Sequence, residues 1–139
     1  MTAPDQFTIS LTRSYPVASA VIVDLFKNNT VFELTGADTI ENNFKTGGSF
    51  HLGFNNRGSI HGHFLSITNN EIILEWNVDG FNKPQEIKTN VQISWRQEGT
   101  NCVLTLIHKN IAHEEAAKAK EKAWTEILDD IGKKIMQHQ

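Results

Sequence analysis

Six histidines, three tryptophans and one cysteine are the residues of this chain with the most chemical reach. Their spacing limits what each can do. His61 and His63 are separated by one residue, so on a strand they share a face. Two histidines at that spacing can chelate a metal ion, but zinc usually takes a third protein ligand. His108 is inward by the parity of its own strand, yet it lies two or more strands away, at about 4.8 Å per strand, too far for a common ion. No metal site is therefore expected. The three histidines read either as polar handles that orient a bound hydroxyl or carboxylate, or as satisfied side chains, with His108 hydrogen-bonded in the core. Cys102 shares parity with Leu104, has no basic neighbour in sequence and is expected inside, not as a nucleophile. Glu75 and the carboxylates of the C-terminal tail fall on outer faces, so no acid–base pair and no catalytic residue is assigned. Gly47-Gly48 lacks the Gly-x-Gly-x-x-Gly arrangement and precedes a strand, which argues against a phosphate cradle.

These side chains must be positioned by a chain of 139 residues, enough for one domain spanning 1–139. It is 39% hydrophobic and 21% charged with a formal net charge of −3. No broad positive field therefore favours nucleic acid or an anionic membrane. A single cysteine allows no intrachain disulfide and fits a reducing compartment, and Met1 to Gln6 carries neither the basic start nor the apolar stretch of a signal peptide. With no run near the roughly 20 apolar residues of a membrane helix, a cytoplasmic location is expected. Either a monomer or a homodimer is compatible with this reading.

Phe7, Ile9 and Leu11 alternate with Thr8 and Ser10, which predicts a half-buried strand ended by Pro16. Pro16 suits the first turn of a helix, and Val17, Val21, Leu25 and Phe32 to Leu34 predict one or two short helices ending near Gly36. From Phe44 to His108 the chain reads as strands and hairpins, with turns at 55–58, 69–70 and 98–101 and a longer loop over 79–85. After Ala112 the period changes. Ala116, Ala119, Ala123, Trp124, Ile127, Leu128, Ile131 and Ile135 share one face of a long helix. The sum is an α+β domain in which a curved antiparallel sheet of about six to seven strands wraps on that C-terminal helix.

Register follows from the turns. A two-residue loop at Asn69-Asn70 pairs Ile67 with Ile72, Leu65 with Leu74 and His63 with Trp76. A four-residue loop at 55–58 pairs Phe54 with Ser59 and Leu52 with His61. Phe50, Leu52, Phe54, His61, His63, Leu65, Ile67, Ile72, Leu74, Trp76 and Val78 then face inward. Ile60, Phe64 and Ile73 fall outside, and a one-residue slip in the first hairpin would exchange the faces.

Thr12-Arg13, the Pro16 start, Lys45-Thr46-Gly47-Gly48-Ser49-Phe50, Gly58 with Gly62, Ile72 to Trp76, Val91 to Trp95, Thr105-Leu106-Ile107-His108 and Trp124 with Leu128 occur in a telling order. In that order the chain resembles the bacterial homologues of the activator of the Hsp90 ATPase, within the START-like superfamily. The resemblance spans nearly the whole chain. It departs where the family often has tryptophan after the first helices, here Phe32 and Leu34, and where Gly-Trp is common in the last helix, here Ala123-Trp124. The resemblance implies the helix-grip fold and a site between helix and sheet, not a catalytic set. The expected ligand-binding residues are Phe50, Leu52, Phe54, His61, His63, Leu65, Leu74, Trp76, Ile93, Trp95, Leu106, His108, Trp124 and Leu128, around an apolar or aromatic small molecule, with no cofactor. The alternative it implies is a co-chaperone-like partner of an Hsp90-type ATPase; a cyclase or hydrolase, known among START-like relatives, would need titratable groups converging in the cavity.

Overall fold

Period-two alternation of apolar and polar residues makes a strand that buries one face, and seven such strands follow one another here with a helix to cover them. The structure, a computed structural model, describes residues 7–80 and 86–137. The order is β1 (Phe7–Tyr15), α1 (Ser19–Lys27), α2 (Thr30–Glu33), β2 (Thr39–Asn42), β3 (Ser49–Phe54), β4 (Gly58–Ile67), β5 (Glu71–Gly80), β6 (Glu86–Glu98), β7 (Asn101–Ile111) and α3 (Glu114–Gln137). The sheet order is β1-β7-β6-β5-β4-β3-β2, antiparallel throughout. Consecutive hairpins account for β2 to β7, and β1 closes the far side against β7. The segment before Phe7, and residues 81–85 of the loop expected over 79–85, lie outside the described residues; Asp79 and Gly80, expected in that loop, instead end β5 opposite Ser59 and Gly58.

One helix boundary differs from expectation. The first strand reaches Tyr15, directly before Pro16, because Ile9, Leu11, Arg13 and Tyr15 continue the alternation across β7. Pro16 ends that strand but does not open the helix: Val17 N–H bonds back to the Tyr15 carbonyl, and α1 starts at Ser19. The short edge strand β2, pairing Thr39 to Asn42 with Phe50 to Gly53, is an element that four residues of mixed polarity did not signal.

The larger correction concerns β4. The first hairpin has a three-residue connection, not four: Phe54 pairs with Gly58, Leu52 with Ile60 and Phe50 with Gly62. Asn56 takes a positive φ of 61° in that turn, a conformation asparagine tolerates better than most residues. At the other end Ile67 does pair with Ile72, but the register shifts between Phe64 and Ser66, so Phe64 rather than Leu65 opposes Leu74. An extra residue in one strand reverses the facing of everything beyond it. Ile60 and Phe64 therefore point inward, while His61, His63 and Leu65 point outward. Phe64 is completely buried and Leu65 is 49% exposed. Ile73 stays on the outer face, opposite Gln92.

The core is a chain of rings running from α2 across the sheet to α3. Phe32 stacks on Phe50 at 5.3 Å, Phe50 meets Trp76 at 5.7 Å, and Trp76 meets Trp124 at 5.0 Å. Gly62, opposite Phe50 on β4, adds no side chain between Phe50 on β3 and Trp76 on β5, so those two rings close over it. Helix α3 is fastened at its middle by the buried Tyr15 hydroxyl, which donates to the Leu128 carbonyl at 2.6 Å. Burial drives the Tyr15 pKa well above its ordinary value, so the donor stays protonated.

Candidate functional site

A cavity of about 480 Å³ opens between α3 and the sheet. Its sheet wall is Phe54, Ile60, Trp76 and Val78; its helix wall is Ala119, Ala123, Trp124 and Ile127; Leu34 and Thr35, just after α2, close one side. The space has a sequence cause. Ala119 and Ala123 sit one turn apart on the inward stripe of α3 and are too short to reach the sheet, so both stay exposed to the opening. Opposite them, Ile60 and Val78 are cross-strand partners on β4 and β5, and neither is large enough to bridge the gap. Charged groups also line it: Arg57 and Glu126, which are exposed, and Lys120 and Asp130, which are half-buried. The Arg57 guanidinium carbon is 5.3 Å from the centre of the Phe54 ring, a cation–π contact that covers one lip.

Trp76 and Trp124 form the deep wall, 5% and 3% exposed respectively. Behind them lies a hydrogen-bonded relay. Trp124 Nε1 donates to His108 Nδ1 at 3.0 Å, and His108 Nε2 lies 2.9 Å from the Thr89 hydroxyl, which donates to the Trp76 carbonyl. An indole N–H only donates, so Nδ1 is the acceptor and Nε2 carries the imidazole proton. Burial, with a smaller contribution from the positive charge of Lys120, pushes the His108 pKa down to about 3. The ring is neutral at ordinary pH, and both of its nitrogens are occupied.

The expected ligand-binding residues are therefore distributed over three places. Phe54, Trp76 and Trp124 line the cavity. Phe50, Leu52, Leu74, Ile93, Trp95, Leu106 and Leu128 point inward but are packed in the core away from it, with Trp95 Nε1 bound to the Asn69 carbonyl. His61, His63 and Leu65 are on the opposite side of the sheet, which corrects their expected place in the site. There His61 stacks on its cross-strand partner His51 at 6.3 Å, and His63 makes an exposed contact with Glu75 at 3.2 Å. His108 belongs to the layer behind the wall. Among the described residues, no group of three or more His, Cys, Asp or Glu is arranged to hold a metal ion, and no helix is long and apolar enough to cross a membrane. Cys102 is buried, as its parity indicates.

Sequence reasoning missed Ile60, which the register slip placed outside, and the charged lining residues Arg57, Lys120, Glu126 and Asp130. The Ala119/Ala123 pair on an otherwise bulky helical stripe was the available signal for where the space would be.

A seven-stranded antiparallel sheet curved onto a long C-terminal helix, with an apolar opening between them, defines the helix-grip class. The chain belongs to the family described as activator of Hsp90 ATPase homolog 1-like protein, whose model matches residues 26–135. Among solved structures it is similar to a Mesorhizobium loti protein at 11% identity, covering 96% of this chain and 98% of that one, with a TM-score of 0.81. It is also similar to an Hsp90 activator from Plasmodium falciparum at 24% identity, 89% and 92% coverage and a TM-score of 0.71. CalU16 from Micromonospora echinospora matches at 19% identity, 92% and 75% coverage and a TM-score of 0.71. At these identities the likenesses establish the fold. No curated protein matches the sequence.

Proposed function

We propose that the protein is a binding module for a hydrophobic or aromatic small molecule held between α3 and the sheet. The observation that carries this reading is the opening of about 480 Å³ lined mainly by apolar side chains, with four charged residues among them, the size and lining usual for small-molecule sites. Phe54, Trp76 and Trp124 supply ring faces for the apolar body, and the exposed Arg57 offers a cationic partner for a polar end. The test is titration with a fluorescent fatty acid against wild type, Trp124→Ala and Ala123→Trp. Ala123 is exposed at the opening, so a tryptophan there fills the space without entering the packed core. Saturable binding to wild type that Ala123→Trp weakens at least tenfold, with no loss of Tm, is the expected result. Equal binding to all three proteins places the probe elsewhere.

A second reading, an interaction protein acting on an Hsp90-type ATPase, is favoured by family membership and by the likeness to the Plasmodium falciparum activator. This rests on analogy rather than on a surface feature. Adding the purified chain to an Hsp90-type ATPase and measuring ATP hydrolysis tests it directly. An unchanged rate over a tenfold molar excess counts against the reading.

A further inference from the structure

We infer that the Trp76 indole N–H is a ligand-binding donor in the cavity wall, and that the ligand it receives carries a carbonyl oxygen on its buried aromatic part. The inference rests on the binding-module reading above and specifies its ligand.

The chain has three tryptophans, and two of their N–H groups are committed within the protein. Trp95 Nε1 donates to the Asn69 carbonyl at 3.1 Å, and Trp124 Nε1 to His108 Nδ1 at 3.0 Å. Trp76 is buried as deeply, at 5% exposure. Its backbone carbonyl accepts from the Thr89 hydroxyl, and its ring touches Phe50, His108 and Trp124, but among the described residues its indole N–H has no acceptor. A polar hydrogen shut away without a partner is costly. Among the described residues, Asn42 Oδ1 is the one side-chain atom that is both sealed from solvent and unpartnered. The Trp76 N–H is therefore open to space, and Trp76 borders the opening beneath α3.

An indole N–H only donates, so the ligand atom it meets must accept. The local field has the matching sign. Lys120 also lines the opening, and its positive charge is felt at His108 behind the wall; it favours the negative end of a carbonyl dipole over an ammonium or a second donor. Thr35, the one hydroxyl of the lining, does not compete, since it donates to the Phe32 carbonyl and accepts from the Ala37 N–H. A pure hydrocarbon laid over Trp76 would strip water from the N–H and return nothing, a loss that a carbonyl oxygen avoids. Phe54 and Trp124 supply ring surface for the rest of the molecule. The ligand class is thus an aryl ketone or a comparable carbonyl-bearing aromatic.

The experiment displaces the fluorescent fatty acid from the full chain with 2-acetylnaphthalene or 2-ethylnaphthalene, which differ by a carbonyl oxygen in place of two hydrogens. Wild type should bind the acetyl compound about tenfold more tightly, although the ethyl compound is the more hydrophobic. Trp76→Phe keeps a ring and removes the donor, and the ratio should fall to about one or below. In heteronuclear spectra of the indole N–H groups, the signal that Trp76→Phe deletes should move downfield with the acetyl compound and not with the ethyl one. A role for Trp76 in packing alone would move it equally with both and leave the affinity ratio intact in Trp76→Phe, which overturns the assignment to this N–H. Equal displacement by the two compounds in wild type overturns the inference while leaving the cavity reading in place. Failure of the fluorescent fatty acid to bind, with neither naphthalene perturbing any indole signal, removes the cavity reading and this inference together. Should Trp76→Phe not fold, the wild-type signal is assigned by triple-resonance spectra, and the absence of a shift selective for the acetyl compound overturns the inference.

Discussion

His108 shows how much one side chain's meaning depends on its partners. A histidine at an inward strand position can be a ligand handle, a base or a structural link, and the residue type does not separate these. Its two nitrogens decide, since one accepts from Trp124 and the other bonds Thr89. The depressed pKa has a stability consequence. The folded value of about 3 lies below the ordinary 6.5, so between those limits the unfolded chain takes up a proton that the folded chain refuses. The stability due to neutral His108 is fully present above about pH 6.5 and is lost as pH falls toward 3. Urea unfolding of wild type should give a stability slope approaching ~1.4 kcal/mol per pH unit between about pH 6 and 4, the limit for one proton. His108→Gln, which cannot titrate, should flatten that slope; an identical slope would mean other groups account for it.

At the scale of elements, one contact fastens α3 to the sheet and another closes the inner face of the sheet on itself. The Tyr15 hydroxyl ties β1 to the Leu128 carbonyl in the middle of α3. Tyr15→Phe leaves that carbonyl without its side-chain donor and should cost about 1–2 kcal/mol in urea unfolding with the fold intact. A change below 0.3 kcal/mol, well under that estimate, would show that apolar packing alone holds the helix. The second contact is the closure of Phe50 on Trp76 across Gly62. A Cβ at position 62 would collide with the Glu75 carbonyl oxygen, a backbone atom that cannot swing aside. Gly62→Val should therefore destabilise by more than ~2 kcal/mol, read as a clear drop in Tm, and should shift the Trp76 fluorescence. The same substitution at Gly99, where no atom lies within 4 Å, meets no such barrier and suffers only from its positive φ of 62°.

For the molecule as a whole, the sheet supplies large rings and the helix supplies two alanines, and the opening exists because these do not match in size. Filling it should raise stability rather than lower it, since apolar surface now facing solvent would be covered. Ala123→Leu is expected to raise Tm by a few degrees while weakening the fatty-acid probe, a trade between stability and binding common at functional sites. A fall in Tm would show that the space is closed in solution by the helix settling onto the sheet.

Period alone determined much of this protein. Alternation gave the strands from β3 to β7, the three- and four-residue spacing gave α3, and together they gave the α+β architecture, with the inward parity of Trp76, Trp95 and His108 correct. Tertiary structure decided the facing of β4 and hence which residues border the cavity. Parity is a local property only until a turn gains or loses a residue or a bulge intervenes. The three-residue turn before Gly58 and the extra residue at Leu65 each reverse it, moving His61 and His63 outward and Ile60 and Phe64 inward. Alternation on β4 could not arbitrate, because both of its faces carry large apolar residues; only packing against Phe50, Trp76 and α3 selects between them.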